Sequence, residues 1–316
     1  MGERMTLKTS CILSAALALV MAAPANMAVA QASTSEEARS ALPAPSRGRG
    51  RKVTFRSMDE PRTELVGFLY TPRIPVEGKA PAVVLMHGRG GAYSNTADGV
   101  YESRTLTLRH RFWAEYWAER GYYALVVDSF GPRGFPTGFA AGTYSERPAT
   151  INEVTIRPLD AYGALRFLRT QEGVDSDRIG LMGWSNGGSA TLSTMADDKP
   201  GDMSRIGFRA AIAMYPGCGL QNRFRQGYQS YAPLEIHMGT ADEEVSHDRC
   251  RDFARGANRE RNGKQGAPVV FESYAGASHS FDDPGTRRQS VPANARATRM
   301  VRERLATFFE TALAPR

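Results

Sequence analysis

The 316-residue chain is poor in the residues that staple, ligate or anchor proteins: three Cys, five His and three Trp. So few Cys exclude a disulfide-dense scaffold, and the His and Cys spacings form no zinc pattern, so no metal or organic cofactor is expected. No apolar run reaches the roughly 20 residues of a membrane span, so no stable membrane anchor is expected. Neither sign of charge dominates: 40 Lys+Arg stand against 33 Asp+Glu, a formal net charge of +7. The excess is spread along the chain. Its one dense cluster, RGRGRK at 47–52, lacks interleaved aromatics, which argues against a nucleic-acid partner. With 41% hydrophobic and 23% charged residues, the composition is that of an ordinary globular protein and excludes a disordered or collagen-like chain.

Several features are present. Arg4 and Lys8 precede an apolar stretch from Cys11 to Ala23, Pro24 and Asn26 break it, and Ala28-Val29-Ala30 places small residues at the two cleavage-reading positions. This layout predicts a signal peptide over 1–30, cleaved after Ala30 for periplasmic or secreted export. Residues 31–52, rich in Pro, Gly and Ser, read as a flexible leader, and 53–316 as a single domain without internal repeats. Cys11 leaves with the signal. Cys218 and Cys250 remain, an even number in an oxidising compartment, either bonded to each other or two separate thiols.

From residue 53 onward, strands and helices alternate. A hairpin is expected over 53–56 and 64–70. Apolar runs at 82–86, 123–127, 178–182, 210–214, 234–238 and 269–274 read as buried strands. Helices are expected over 112–120, 159–169, from about 186, 248–259 and 296–313. The pattern implies an α/β fold, a mostly parallel sheet with helices on both faces and an N-terminal antiparallel hairpin. Sites in such sheets form beyond the carboxyl ends of the strands.

Four strand ends carry reactive chemistry. GWSNGG after the strand at 178–182 is G-x-S-x-G in the strand-to-helix setting of a nucleophile elbow, which makes Ser185 the expected nucleophile. Asp242 lies nearest the end of 234–238 and is preferred over Glu243, Glu244 and Asp248 as the acid that orients an imidazole. His279, on a small-residue loop after 269–274, is the expected base. His237 reads as a packed strand residue, and His110 and His247 as surface positions flanking helices. HGRGG after 82–86 is the expected oxyanion loop, its donor the main-chain N–H of Arg89, with Gly90 next; the second donor is that of Asn186. His87 reads as a structural holder of that loop. The order Ser185, Asp242, His279 is that of the α/β-hydrolase arrangement.

The stretches VVLMHGRGG, VVDSFGPRG, IGLMGWSNGGS, MYPGCG, GTADEEVSHDRC and YAGASHSF resemble the dienelactone hydrolase family of the α/β-hydrolase superfamily. The resemblance places that family's functional positions on Ser185, Asp242 and His279. The namesake enzymes use a Cys nucleophile and carry a Glu near the oxyanion loop. Here Ser185 and HGRGG stand instead, which favours a serine esterase of the family's exported branch. In that branch a Cys after the YPG turn and another after the Asp loop also look familiar, which favours a Cys218–Cys250 disulfide. The expected activity is cleavage of carboxylic esters, small or polymeric, through an acyl-enzyme. Lactone hydrolysis and peptidase action on the same fold are the alternatives. Tyr93, Tyr215 and the 129–157 segment are expected to wall the substrate pocket, with Trp184 either joining them or packed in the core. Nothing in the sequence fixes the oligomeric state.

Overall fold

The structure is a computed structural model that describes residues 50–261 and 263–315, so the expected signal peptide and nearly all of the expected leader lie outside the described residues. Among these, eight strands form one sheet: β1 (Arg51–Arg56), β2 (Glu64–Tyr70), β3 (Ala80–Met86), β4 (Tyr123–Asp128), β5 (Val174–Trp184), β6 (Ala210–Met214), β7 (Leu234–Gly239) and β8 (Val269–Tyr274). Their spatial order is β1-β2-β4-β3-β5-β6-β7-β8. β1 pairs with β2 and β2 with β4 antiparallel, and every later pairing is parallel. The expected α/β class, with its N-terminal antiparallel pair, is the observed one.

The helices are α1 (Leu108–Ala118), α2 (Arg157–Arg169), α3 (Asn186–Met195), α4 (Met203–Ile206), α5 (His247–Ala257), α6 (Thr286–Gln289) and α7 (Pro292–Ala312). They cover both faces of the sheet, as β5 shows. A side chain at Gly180 would meet Phe309 of α7 and Leu313 just beyond it, whereas one at Gly183 would meet Gly187 and Thr191 of α3. The two glycines stand an odd number of residues apart and so face opposite sides of the pleat. The central strand β3 is buried at every position, which is why its sequence is a continuous apolar run rather than an alternating one.

Some boundaries differ from the sequence expectation. β5 starts at Val174 rather than 178, because Val174 already pairs with Ala80 of β3. α1 starts at Leu108 rather than 112, since the Thr107 side chain accepts the His110 N–H and caps the helix. That extra turn carries His110 inside, so its expected place at the surface is wrong: it is 1% exposed. His237 is fully buried within β7 as expected, its Nδ1 3.0 Å from the Tyr274 hydroxyl.

Candidate active site

Ser185 stands between the end of β5 and the start of α3 with φ 53° and ψ −115°, a backbone that side chains disfavour. The turn is pinned on both sides. The Ser185 N–H donates to the Met214 carbonyl of β6 at 2.9 Å, and its carbonyl accepts the Ser189 N–H at 2.9 Å. The flanking glycines are required for space: a Cβ at Gly183 would lie 2.2 Å from the Gly187 oxygen, and one at Gly187 2.1 Å from the Met86 oxygen. G-x-S-x-G is therefore read here as a packing constraint between β3, β5 and α3.

The ends of β7 and β8 converge in the same way. The Ala241 N–H donates to the Ala277 carbonyl at 3.0 Å, and a Cβ at Gly239 would lie 2.0 Å from that oxygen. This contact brings His279 Nδ1 to 2.9 Å from Asp242 Oδ2 and 3.1 Å from Oδ1. Both side chains are buried, 1% and 0% exposed. Asp242 is itself held, because its Oδ1 accepts the N–H groups of Glu244 and Val245 at 2.9 Å each. Its competitors do other work. Glu243 accepts the His279 main-chain N–H at 2.8 Å, and Asp248 pairs with Arg251 at the surface. With Nδ1–H engaged by a carboxylate, Nε2 carries the lone pair of the neutral ring. Nε2 is buried and has no hydrogen-bond partner; Glu244 Oε2 lies 3.6 Å away.

The HGRGG loop leaves β3 beside the serine turn. A Cβ at Gly138 would lie 2.2 Å from the Gly90 carbonyl carbon, and the Arg89 carbonyl accepts the Phe139 N–H at 2.8 Å, so the 135–139 turn clamps this loop. The Arg89 side chain reaches Glu244 Oε1 at 3.1 Å. As the first residue of α3, Asn186 has a main-chain N–H with no acceptor inside the helix. His87 is fully buried. It donates from Nδ1 to the Gly88 carbonyl at 2.7 Å and accepts the Ser129 N–H on Nε2 at 3.2 Å, the pattern of a neutral ring that holds the loop. Burial is also the main cause that holds the His87 imidazole well below its usual range, and burial pulls His110 down to about 3.

A cavity of about 610 Å³ opens on Ser185, Asn186 and Arg89. The 129–157 segment contributes Tyr144, Arg147 and Glu153 to it, as expected of that stretch. Three arginines (89, 147, 249) face three glutamates (153, 243, 244), and Leu220 and Val245 are among the few apolar groups. The rim at 220–222 is strained: Leu220, Gln221 and Asn222 have φ of 44°, 51° and 62°. A disulfide between Cys218 and Cys250, Cα atoms 5.2 Å apart, ties this rim to α5.

The three aromatic residues nominated for the pocket do not line it. Tyr93, Trp184 and Tyr215 are 4%, 0% and 0% exposed. Of the two roles open to Trp184, core packing is the one observed. The reason is Asp282, a fully buried carboxylate three residues past His279. Its Oδ2 accepts Trp184 Nε1–H at 2.8 Å and Trp113 Nε1–H at 2.7 Å, and its Oδ1 accepts the Tyr215 hydroxyl, which in turn accepts from Arg109 at 2.8 Å. Trp184 and Tyr215 are thus drawn inward behind the site. The Tyr215 ring packs edge-on against His279, centroids 4.7 Å apart. Tyr93 turns away to Phe68 and Tyr101, its hydroxyl bonded to Asp128.

Sequence reading also missed Arg157. Fully buried at the first position of α2, it bonds both the His87 carbonyl and the Asn186 side chain. One signal was available: a cation in the first turn of a helix opposes the helix dipole and is out of place there without a reason. Among the described residues, no group of three His, Cys, Asp or Glu is placed to hold a metal ion.

A mostly parallel sheet with a strained serine turn at one strand end, and a buried carboxylate–imidazole pair at two others, defines a hydrolase of the α/β fold. The chain belongs to the dienelactone hydrolase family, which it matches over residues 65–313, and with that family comes the class of hydrolases acting on esters. It is 22% identical over 217 residues to a probable 2-oxo-3-(5-oxofuran-2-ylidene)propanoate lactonase of a Bradyrhizobium species, covering 68% of this chain and 78% of that protein. Among solved structures, it resembles a putative dienelactone hydrolase from Klebsiella pneumoniae with a TM-score of 0.57 at 14% identity, covering 82% of this chain and 98% of that one. Esterase 2 of Thermogutta terrifontis, solved phosphorylated by paraoxon, gives a TM-score of 0.56 at 22% identity over 85% of this chain and 97% of that one. At these identities the structural likeness is one of fold.

Proposed function

We propose that the protein is a serine hydrolase that cleaves carboxylic esters through an acyl-enzyme, with Ser185, His279 and Asp242 as its triad. The observation that carries this reading is the buried His279–Asp242 pair at 2.9 Å, whose free Nε2 belongs to the same sheet edge as the strained Ser185 turn. In the reaction, Nε2 takes the proton of Ser185 Oγ as that oxygen attacks the ester carbonyl. Asp242 holds the imidazole in the Nδ1–H tautomer and stabilises the imidazolium that forms. The main-chain N–H groups of Asn186 and Arg89 receive the charge that develops on the carbonyl oxygen. His279 then gives its proton to the leaving alcohol. A water molecule repeats the sequence on the acyl-serine and releases the acid.

A fluorophosphonate probe should label the wild-type protein and leave Ser185→Ala unlabelled, and that substitution should lower kcat by at least about 10⁴-fold. Equal labelling of both proteins would remove the nucleophile assignment. The six charged side chains at the cavity favour esters that carry polar groups, and Ala141, Leu220 and Val245 leave room for a short alkyl chain. Turnover of p-nitrophenyl esters of increasing chain length, compared with a γ-lactone and a peptide anilide, separates esterase from lactonase and peptidase. The lactone belongs in the panel because of the probable lactonase to which the chain is similar.

The reading includes export with cleavage after Ala30, a leader over 31–52 and one catalytic domain from 53 to 316. The Cys218–Cys250 disulfide supports an oxidising destination. Among the described residues, no helix is long and apolar enough to cross a membrane. N-terminal sequencing of the exported protein should begin at Gln31, and a mature protein that starts at Met1 would overturn the cleavage site.

A further inference from the structure

Arg157 is a buried cation whose contacts are both neutral. Its Nη1 donates to Asn186 Oδ1 at 2.6 Å and its Nη2 to the His87 carbonyl at 2.8 Å, while the guanidinium lies 4.9 Å from the centre of the Phe130 ring. Nε has no hydrogen-bond partner. Among the described residues no carboxylate stands within ion-pair distance of it. The acid with the greatest electrostatic influence, Asp160, is taken by Arg133 at 2.8 Å and by Ser57. Burial pulls the Arg157 guanidinium down to about 10, which still leaves it charged at neutral pH. Removing an ion from water is unfavourable unless an opposite charge and a full set of hydrogen bonds offset it. Here neither condition is met, and the helix dipole adds a further opposing field. For the fold alone, a neutral donor would serve the same two acceptors without burying an ion.

What Arg157 grips suggests why it is there. The His87 peptide opens the HGRGG loop, and Asn186 follows the serine, so one guanidinium spans the two segments that carry the expected oxyanion donors. We propose that Arg157 is a positioning residue for the oxyanion hole: it cross-braces the two donor segments and sets a fixed positive charge behind them. This rests on the triad reading given above and goes beyond it in assigning a role to a residue outside the triad and its donors. Preorganised charge and geometry of this kind act on the transition state more than on bound substrate.

The test is kinetic and uses the full-length protein with p-nitrophenyl acetate. Arg157→Met should lower kcat by about 100-fold with KM within about threefold, because small misplacements of a donor cost that much in rate. Its Tm should stay close to that of the wild type, since relief of the buried ion offsets the two acceptors left unfilled at His87 and Asn186. Arg157→Lys keeps the charge and loses the two-pronged grip, so it should recover part of the rate and remain about 10-fold below wild type. A Met variant with kcat within about threefold of wild type, or with its whole loss in KM, overturns the brace. If the Met variant does not fold, the Lys variant decides, and wild-type kcat in it also overturns the brace. Ser185→Ala, assayed alongside, separates the two readings. Turnover that survives it sinks the nucleophile and the brace together, whereas its loss beside a fully active Arg157→Met sinks the brace alone.

Discussion

Two buried charges of opposite sign flank Ser185, and they are treated differently. Behind the imidazole, Asp282 accepts hydrogen bonds from Trp113, Trp184 and Tyr215, with Arg109 one bond further on. Behind the HGRGG loop, Arg157 is equally buried and meets a carbonyl and an amide. A buried ion whose hydrogen bonds are filled, with an opposite charge close behind it, ties together the elements that supply its donors. One with an unfilled N–H and no ion pair is costly to bury, and such a position points to a demand other than stability. The comparison thus separates what holds this site together from what the site does.

The largest expected effect tests the matched side. Asp282→Ala leaves three buried donors without an acceptor and should lower the unfolding free energy by about 3–5 kcal/mol, measured by urea denaturation. Arg157→Met relieves the burial of an ion but leaves two acceptors unfilled, so under the same conditions it should lose no more than about 1 kcal/mol; equal losses in the two variants would dissolve the contrast. The next effect sharpens the cavity rim. Replacing Cys218 and Cys250 by Ser should cost about 2–4 kcal/mol. It should also raise KM, because the strained turn at Leu220 to Asn222 then loses its tie to α5.

A third effect lies beside the HGRGG loop, where His87 and His110 are buried and neutral. Both have folded-state values below the unfolded one, so their contribution is fully present above about pH 6.5 and is lost as the pH falls from there towards about 3 for His110. Each should steepen the loss by about 1.4 kcal/mol per pH unit below 6.5. His110→Gln should flatten the pH dependence by one such slope, and an unchanged slope would show that His110 is charged in the folded protein. The smallest effect is Glu244→Gln, which breaks a half-exposed pair with Arg89 and should alter stability by less than about 1 kcal/mol.

How much of this was legible depends on the distance over which each feature is specified. The strands could be read because β3, β4 and β6 are continuous apolar runs, and the reactive loops because a parallel sheet gathers its strand ends at one edge. Ser185 was marked by glycines two residues to either side, a local requirement of the turn. Asp242 could be preferred over Glu243, Glu244 and Asp248 only on proximity to the strand end. The structure brings that residue, and none of the other three, to His279 Nδ1. The pocket aromatics were misplaced for the opposite reason. Nothing near Trp184 or Tyr215 indicates that a carboxylate 98 and 67 residues away will draw them into the core.

By itself the sequence determined the alternation of strand and helix, the sheet they build, and the three strand-end residues on which the chemistry would rest. Those features follow from periodicity, turn geometry and the space a glycine leaves, all of which act over a few neighbouring residues. The tertiary structure alone decided which side chains face the cavity, which carboxylate receives the tryptophans, and that Arg157 joins the HGRGG loop to Asn186. Burial and charge pairing depend on atoms gathered from distant parts of the chain, and the linear order carries no record of that distance.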